Sequence, residues 1–204
     1  MIIFNNRHRI WKDPMICFNN MNSLPKKIAI YIDGNNFYFS VKRAFNCKID
    51  IEKFCKKLAD KNNLIKINYY TANVEQKNNP KVYAEQQKFF EALRKIDKFT
   101  IIFGRLEKHK EKGVIYYVEK ASDINLALDL VLDAQSDIYD IAYLVSNDGD
   151  FSGAVSAAIN KFGKKIIYVA VGNRNPKISY HLKKVASEML KIDKDFIENI
   201  KLWR

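Results

Sequence analysis

The chain has 204 residues, which is enough for one α/β domain with a self-sufficient core. Hydrophobic residues make up 48% and charged residues 28%, and these proportions exclude a chain that is disordered over most of its length. The longest stretch without a charge, from Pro14 to Pro25, is too short and too polar for a membrane-spanning helix. The 3 cysteines have no CxxC spacing, which excludes a disulfide framework and a zinc knuckle. We therefore predict a cytoplasmic protein that makes no contact with a membrane.

The charge of the chain is unevenly distributed. Basic residues outnumber acidic residues by 35 to 23, and the net charge is +12. The segment 121–160 nevertheless contains seven Asp and no Lys or Arg. This pattern favours a surface that binds a polyanion around a site that binds cations. A solubilising charge beside a solvated acidic helix is the alternative that charge alone leaves open.

Hydrophobic periodicity divides the chain into an extension, 1–26, and one domain, 27–204. The extension is rich in Asn, lacks periodicity and contains Pro14 and Pro25. In chain order we predict strands at 28–33, 64–72, 99–107, 141–146 and 164–171, an extended segment at 114–119, and helices at 36–45, 50–60, 80–97, 121–135, 151–162 and 176–200. Because strands alternate with helices, the predicted fold class is α/β. It is a doubly wound, mostly parallel five-stranded sheet with helices on both faces.

Acidic residues follow two of the predicted strands at the point where each strand ends. Asp33 ends the first strand, and Asp148 and Asp150 follow the strand 141–146. In an open α/β sheet, ligands bind beyond the carboxyl ends of the strands, where the strand order reverses. These residues therefore converge if the two strands are neighbours. Asp123 opens the helix before the second of these strands and is expected at the same end of the sheet.

Four carboxylates in one crevice require a counter-charge. Two carboxylates about 5 Å apart repel by about 3 kcal/mol at an effective dielectric constant of about 20. A hard divalent cation such as Mg²⁺ or Mn²⁺ removes this repulsion, and it promotes phosphodiester hydrolysis. Structural alternatives remain open for each acid. Asp33 could cap a helix, although Asn36 is the better candidate for that cap. Asp148 and Asp150 could form a turn, and Asp123 could face a helix dipole.

Three ordered blocks, DGNNF at 33–37, KASDINLALD at 120–129 and SNDGDF at 146–151, resemble the NYN domain. This domain is the LabA/DUF88 branch of the PIN-like metal-dependent ribonucleases, and the resemblance covers roughly 27–199. The resemblance implies metal ligation by Asp33, Asp123, Asp148 and Asp150, a supporting catalytic role for Asn36, and a place for Ser146 beside the last acidic pair. The sequence departs from the family pattern at Ala121, where the second block usually has Gly.

Basic residues near the second block are candidates for contacts with nucleic acid. They are Arg105, Lys108, Lys110, Lys112 and Lys120, with Ser146 from the third block. A charge-rich loop that is merely solvated is the alternative. For Asp129, a solvated helix face and a ligand role are both open, and we leave this residue out of the predicted site.

The sequence thus favours a nuclease that uses Mg²⁺ or Mn²⁺ and acts on RNA rather than DNA, as an endoribonuclease. The resemblance implies products with a 3′-hydroxyl and a 5′-phosphate. A nucleic-acid partner is expected, and a homodimer is compatible with the sequence. Two alternatives remain: a catalytically idle nucleic-acid-binding module of the same fold, and a phosphatase or phosphoacceptor domain. Against the second, Asn35 stands where a dehalogenase-type phosphatase needs an Asp, and Ile32 where a receiver domain needs an acid.

Overall fold

A computed structural model of the chain describes residues 24–77, 79–111, 114–172 and 178–202, without the side chains of 106, 108, 111 and 114–119. The predicted extension therefore lies almost wholly outside the described residues. In chain order the elements are β1 (Lys27–Asp33), α1 (Gly34–Phe45), β2 (Lys48–Ile49), α2 (Ile51–Ala59), β3 (Asn63–Thr71), α3 (Pro80–Leu93), β4 (Phe99–Phe103), β5 (Arg105–Glu111), β6 (Val114–Lys120), α4 (Ser122–Gln135), β7 (Ile141–Val145), α5 (Ser152–Phe162), β8 (Lys165–Val171), α6 (Tyr180–Val185), β9 (Glu188–Ile192), α7 (Lys194–Glu198) and β10 (Lys201–Leu202). None of these helices is long and apolar enough to cross a membrane, as far as the chain is described.

Six parallel strands form the central sheet, in the order β4-β3-β1-β7-β8-β9. The strand order reverses between β1 and β7, which pair from Ile28↔Ile141 to Ile32↔Val145. The α/β class and the doubly wound topology are therefore confirmed. The predicted neighbourhood of these two strands at the switch point is also confirmed, and their carboxyl ends lie side by side.

The core has one layer on each face of the sheet, because β1 alternates its side chains between them. Ile28, Ile30 and Ile32 are fully buried against α1, α2, α3 and α7, whereas Ala29 and Tyr31 are fully buried against α4, α5 and α6. A strand that is covered on both faces reads as a continuous apolar run, and this explains the uninterrupted sequence IAIYI.

The sheet has one strand more than predicted. We expected a helix over 176–200, but the described part of this segment contains α6, the strand β9 and α7. β9 pairs with β8 from Ile167↔Glu188 to Val171↔Ile192. The apolar spacing fits a helix only as far as Val185. Beyond it, the open edge of β8 offers backbone hydrogen-bond partners that override the helical pattern.

The predicted strand 99–107 is broken at Gly104. Its first part, β4, stays in the main sheet, and its second part, β5, leaves the sheet and pairs with β6 as an antiparallel hairpin from Arg105↔Lys120 to Glu111↔Val114. The Gly104 N–H donates to the Thr71 carbonyl at 2.8 Å. A Cβ atom at Gly104 would lie 2.6 Å from the Lys120 carbonyl oxygen, so the base of the hairpin closes tightly against β4.

Gly34 and Gly153 provide a matched test of the packing beneath α1. A Cβ atom at Gly34 would lie 2.5 Å from Tyr69 Cζ and 2.7 Å from the Tyr70 carbonyl oxygen, whereas nothing lies within 4 Å of one at Gly153. We expect Gly34→Ala to lower the free energy of unfolding by about 2 kcal/mol or more. We expect Gly153→Ala, in α5, to leave it unchanged or raise it by up to about 1 kcal/mol. Urea denaturation measures both, and equal stability of the two variants would contradict the tight packing at Gly34.

Candidate functional site

Asp33 ends β1 at the point where the strand order reverses. Its Oδ1 accepts a hydrogen bond from the Asn36 backbone N–H at 3.1 Å, and its Oδ2 accepts from the Ser146 hydroxyl at 2.8 Å. The first bond makes Asp33 the N-cap of α1, which begins at Gly34. The prediction that Asn36 caps a helix beginning at 36 is therefore wrong. Asp33 caps α1 and at the same time presents a carboxylate at the carboxyl edge of the sheet.

The turn after β7 brings two more carboxylates to this edge. The buried Ser146 hydroxyl accepts from the Asp148 N–H at 3.0 Å. Asp148 Oδ1 then accepts from the Asp150 N–H at 3.0 Å and caps the single 3-10 turn Gly149–Phe151. Asp148 thus forms the turn, as the structural alternative predicted, and Ser146 connects that turn to Asp33.

Asp123 approaches the same edge from α4. It is exposed in the first turn of the helix, with the Ser122 hydroxyl 3.4 Å from its carboxylate. Ala121, the residue before α4, has a φ of +74°, in the left-handed region that favours glycine. This is the position at which the sequence departs from the NYN pattern, so the chain holds a strained alanine where the family usually has Gly.

The carboxylates are close enough to influence one another. The pKa of Asp33 is raised to about 6, mainly by burial. The hydrogen bonds from Asn36 and Ser146 oppose this rise, and the charges of Asp123 and Asp148 add to it. The pKa of Asp123 is also raised, first by burial and then by the charge of Asp148, with a smaller effect from Asp150. Asp33 is influenced by Asp123 and Asp148, and Asp123 by Asp148 and Asp150, so the four predicted acids share one electrostatic environment.

The four carboxylates can be compared with the ligands that a divalent cation prefers. Within the described ranges, no three His, Cys, Asp or Glu side chains are grouped tightly enough to hold one ion. Mg²⁺, however, is usually held by one or two carboxylates and completes its shell with water and phosphate oxygens. A buried carboxylate whose pKa is raised by neighbouring carboxylates gains stability from a nearby cation. The residues present therefore fit a hard, partly hydrated divalent ion.

Asn36 and Asn147 connect the elements around this edge. Asn36 Oδ1 accepts from the Asn147 backbone N–H at 3.0 Å. The Asn147 side chain donates to the Val171 carbonyl at 3.2 Å and accepts from the Tyr168 hydroxyl at 2.9 Å, so it ties β7 to β8. Sequence reasoning missed Asn147 and Tyr168. The Asn between Ser146 and Asp148 was visible as a polar residue at a strand end, but Tyr168 in the middle of the apolar strand β8 gave no local signal.

Asp129 lies on the inner side of α4, apart from the site. Its carboxylate accepts from the Tyr70 hydroxyl at 2.8 Å and faces the sheet. The interpretation of Asp129 as part of a solvated face is therefore wrong, because two polar side chains of β3, Asn68 and Tyr70, reach it from below.

The predicted basic residues divide into two groups along the hairpin. Arg105 and Lys120 face each other at its base, directly before α4, and both are exposed. The Arg105 guanidinium also contacts the Glu107 carboxylate at 2.9 Å. Lys110 is exposed near the tip of the hairpin, whereas Lys112 and the side chain of Lys108 lie outside the described residues. A groove of about 760 Å³ lies at the opposite edge of the sheet and includes none of the predicted site residues.

Comparison with known proteins identifies the family and supports the fold. The NYN domain matches residues 27–193 of the chain. A crystal structure of a protein of unknown function from Vibrio parahaemolyticus has a similar fold, with a TM-score of 0.66 and 24% sequence identity. The alignment covers 87% of this chain and 97% of that chain. No curated protein matches the sequence. The NYN match extends from the first residue of β1 to the residue before α7. The chain therefore belongs to the NYN domain family, a family of PIN-like nucleases.

Proposed function

We propose that the chain is a divalent-metal-dependent endonuclease that hydrolyses phosphodiester bonds at the carboxyl edge of its sheet, with RNA as substrate rather than DNA. The observation that carries the proposal is the position of Asp33. Its carboxylate is held at the switch point by α1 and by Ser146, and its pKa is raised first by burial and then by the charges of Asp123 and Asp148. The preference for RNA rests on the resemblance to PIN-like ribonucleases.

In this proposal Asp33, Asp123, Asp148 and Asp150 hold Mg²⁺ or Mn²⁺, one or two of them by direct contact and the others through the water molecules of the ion. When bound, such an ion supplies an acidified water molecule and neutralises the charge that develops on the phosphate. Ser146 and the backbone of Asn36 fix both oxygens of Asp33, and each oxygen keeps acceptor capacity for a further partner. The Asn36–Asn147 bond keeps α1 and the turn after β7 in register, and through it Asn36 acts as a positioning residue. Arg105 and Lys120 bind substrate phosphates beside this edge.

The other two hypotheses are less well supported. An idle nucleic-acid-binding module would have no reason to keep four carboxylates that repel one another at the edge of the sheet. A dehalogenase-type phosphatase needs a second Asp two residues after Asp33, where this chain has Asn35, and a receiver domain needs an acid before Asp33, where it has the buried Ile32.

The pH dependence of stability tests the environment of Asp33. In the folded chain its pKa is about 6, above its ordinary value of 3.8, so the folded state binds the additional proton between these values. The free energy of unfolding should therefore fall by up to about 3 kcal/mol as the pH rises from about 4 to 6. Above about pH 6 it should stay at the lower value. Asp33→Asn keeps a capping oxygen and removes the charge, so without metal it should be the more stable protein at pH 7.5, and the difference should shrink towards pH 4.

Mg²⁺ should make the wild type the more stable of the two proteins at pH 7.5. This reversal distinguishes a metal site from an acid that is merely buried. At about 100 times its dissociation constant, Mg²⁺ should stabilise the wild type by about 2.7 kcal/mol and leave Asp33→Asn nearly unchanged. Denaturant titrations with EDTA or Mg²⁺ at each pH measure both effects. Parallel pH profiles for the two proteins, or equal stabilisation by Mg²⁺, would contradict the proposed environment of Asp33.

Asp148→Asn tests the site in catalysis. The variant should retain the turn, because the amide oxygen still accepts from the Asp150 N–H. Cleavage of single-stranded RNA in Mn²⁺ should nevertheless fall at least about 100-fold, more than the usual loss for an outer-shell partner. Asp97→Asn, an exposed Asp at the opposite edge of the sheet, is the matched control and should cleave as the wild type does. Full activity of Asp148→Asn would exclude Asp148 from the machinery.

Salt dependence tests the proposed phosphate contacts separately from catalysis. In EDTA, log affinity for a single-stranded RNA should fall linearly with log salt concentration. Arg105→Ala and Lys120→Ala should each make the slope shallower by about 0.7. Lys161→Ala, which removes an exposed charge at the far end of α5, should leave the slope unchanged. Equal slopes for the wild type and the three variants would show that the nucleic acid does not contact Arg105 or Lys120. The same titration with a DNA strand of the same sequence tests the preference for RNA.

A further inference from the structure

The outer face of α4 has an apolar stripe. Ile124, Leu128 and Leu132 are four residues apart, which places them on one side of the helix, and they are 63%, 53% and 53% exposed. The opposite side of the same helix is buried against the sheet through Leu126, Leu130 and Ala134. A core-facing helix normally alternates an apolar side with a polar one, so α4 is apolar on the side that faces the core and on the side that does not.

The sequence around this stripe is acidic. The segment 121–160, which supplies α4 and most of α5, contains seven Asp and no Lys or Arg, although Lys27 and Lys164 contact Asp137 and Lys66 contacts Asp133. A partner that matches the surface should therefore combine large apolar side chains with basic residues.

The described chain begins beside one end of the stripe. The Lys27 backbone N–H donates to the Asp140 carboxylate at 2.7 Å, and the Lys27 ammonium contacts the Asp137 carboxylate at 3.2 Å. These contacts fix the start of β1 to the loop that follows α4. Leu24, three residues before Lys27, is 85% exposed. Residues 1–23 therefore join the fold next to the end of α4 that carries Leu132.

The sequence of residues 1–23 has the composition that the stripe requires. It contains Ile2, Ile3, Phe4, Ile10, Trp11, Met15, Ile16 and Phe18 as apolar residues. It also contains Arg7, Arg9 and Lys12 against a single acid, Asp13. α4 is about 21 Å long at 1.5 Å per residue. About seven extended residues span that length, so Trp11, thirteen residues before Leu24, can reach any point on the stripe.

A second copy of the chain is the less suitable occupant. Three side chains on one helix offer much less than the roughly 800 Å² per partner that a stable dimer buries. Two such surfaces would also bring together the same segments without basic residues. An attached segment, in contrast, is present at an effective concentration on the order of millimolar, so a small contact area suffices.

We propose that the N-terminal segment 1–23 docks on the outer face of α4, with Ile10 and Trp11 against Leu128 and Leu132 and with Arg7, Arg9 and Lys12 towards the acidic surroundings. The docked segment covers the helix that carries Asp123, at the side away from the sheet.

Trp11 is an intrinsic probe of this contact. The chain has 2 tryptophans, so the full-length Trp203→Phe variant has Trp11 as its sole tryptophan. In this background we expect Trp11 emission at a shorter wavelength than that of a free tryptophan peptide, with protection from iodide quenching. Adding Leu128→Asp should move the emission to the wavelength of exposed tryptophan. Val82→Asp, which alters an exposed apolar residue of α3, is the matched control and should have no effect.

Trypsin gives a second readout in the same full-length proteins, because it cleaves after Arg7, Arg9 and Lys12. The rate of cleavage is proportional to the fraction of molecules in which the segment is undocked. We expect Leu128→Asp to accelerate cleavage at least about tenfold, which corresponds to a loss of about 1.4 kcal/mol in the free energy of docking. Ile124→Gln, at the other end of the stripe, should accelerate cleavage in the same direction. Emission of an exposed tryptophan in the Trp203→Phe parent, or equal cleavage in all variants, would overturn the proposal. A change of sedimentation mass in Leu128→Asp with unchanged Trp11 emission would also overturn it and would assign the stripe to a second copy.

Discussion

The structure depends on one carboxylate that serves two purposes. Asp33 caps α1 through the Asn36 N–H and accepts from the Ser146 hydroxyl at the end of β7. These two bonds join the strands at which the order of the sheet reverses to the helix that covers them. The same carboxylate is only 9% exposed, and its pKa is raised first by this burial and then by the charges of Asp123 and Asp148. A structural cap made by an amide or a hydroxyl would avoid this cost, and in our account the cost is offset by the binding of a cation.

The second constraint is that different faces of α4 serve different purposes. Its inner face buries Leu126 and Leu130, and its first turn presents Asp123 at the site. Two of its acids reach inward: Asp133 contacts the Lys66 ammonium and the Tyr31 hydroxyl at 2.6 Å each, and Asp129 accepts from the Tyr70 hydroxyl. The outward face is left with apolar residues. The helix begins at a strained alanine, Ala121, so its entry is fixed by the hairpin and the sheet rather than by a side-chain cap.

Sequence reasoning predicted the parts of this arrangement that depend on local pattern. The apolar run before Asp33 and the strand before Ser146 identified the two central strands, and the switch-point rule then placed their acids together. The hairpin and β9 depended on the free edges of other elements. Gly104 breaks a strand because Lys120, sixteen residues later, approaches it closely. Leu190 and Ile192 form a strand because β8 has an open edge. The position of Asn147 depended on Tyr168 and Val171, and Asp129 turned inward because Tyr70 reaches it. None of these contacts has a signature in adjacent residues.

The most direct test of the central claim is the location of Mn²⁺ by anomalous diffraction from crystals of the full chain soaked in MnCl₂. The account predicts an anomalous peak at the carboxyl edge of the sheet, between β1 and β7. Oxygens of Asp33 and at least one other of the four acids should lie about 2.1 Å from the peak, with water completing the shell. A map without a peak at this edge in crystals that bind Mn²⁺ elsewhere would contradict the account. It would leave Asp33 as a helix cap in a fold whose chemistry takes place at another site.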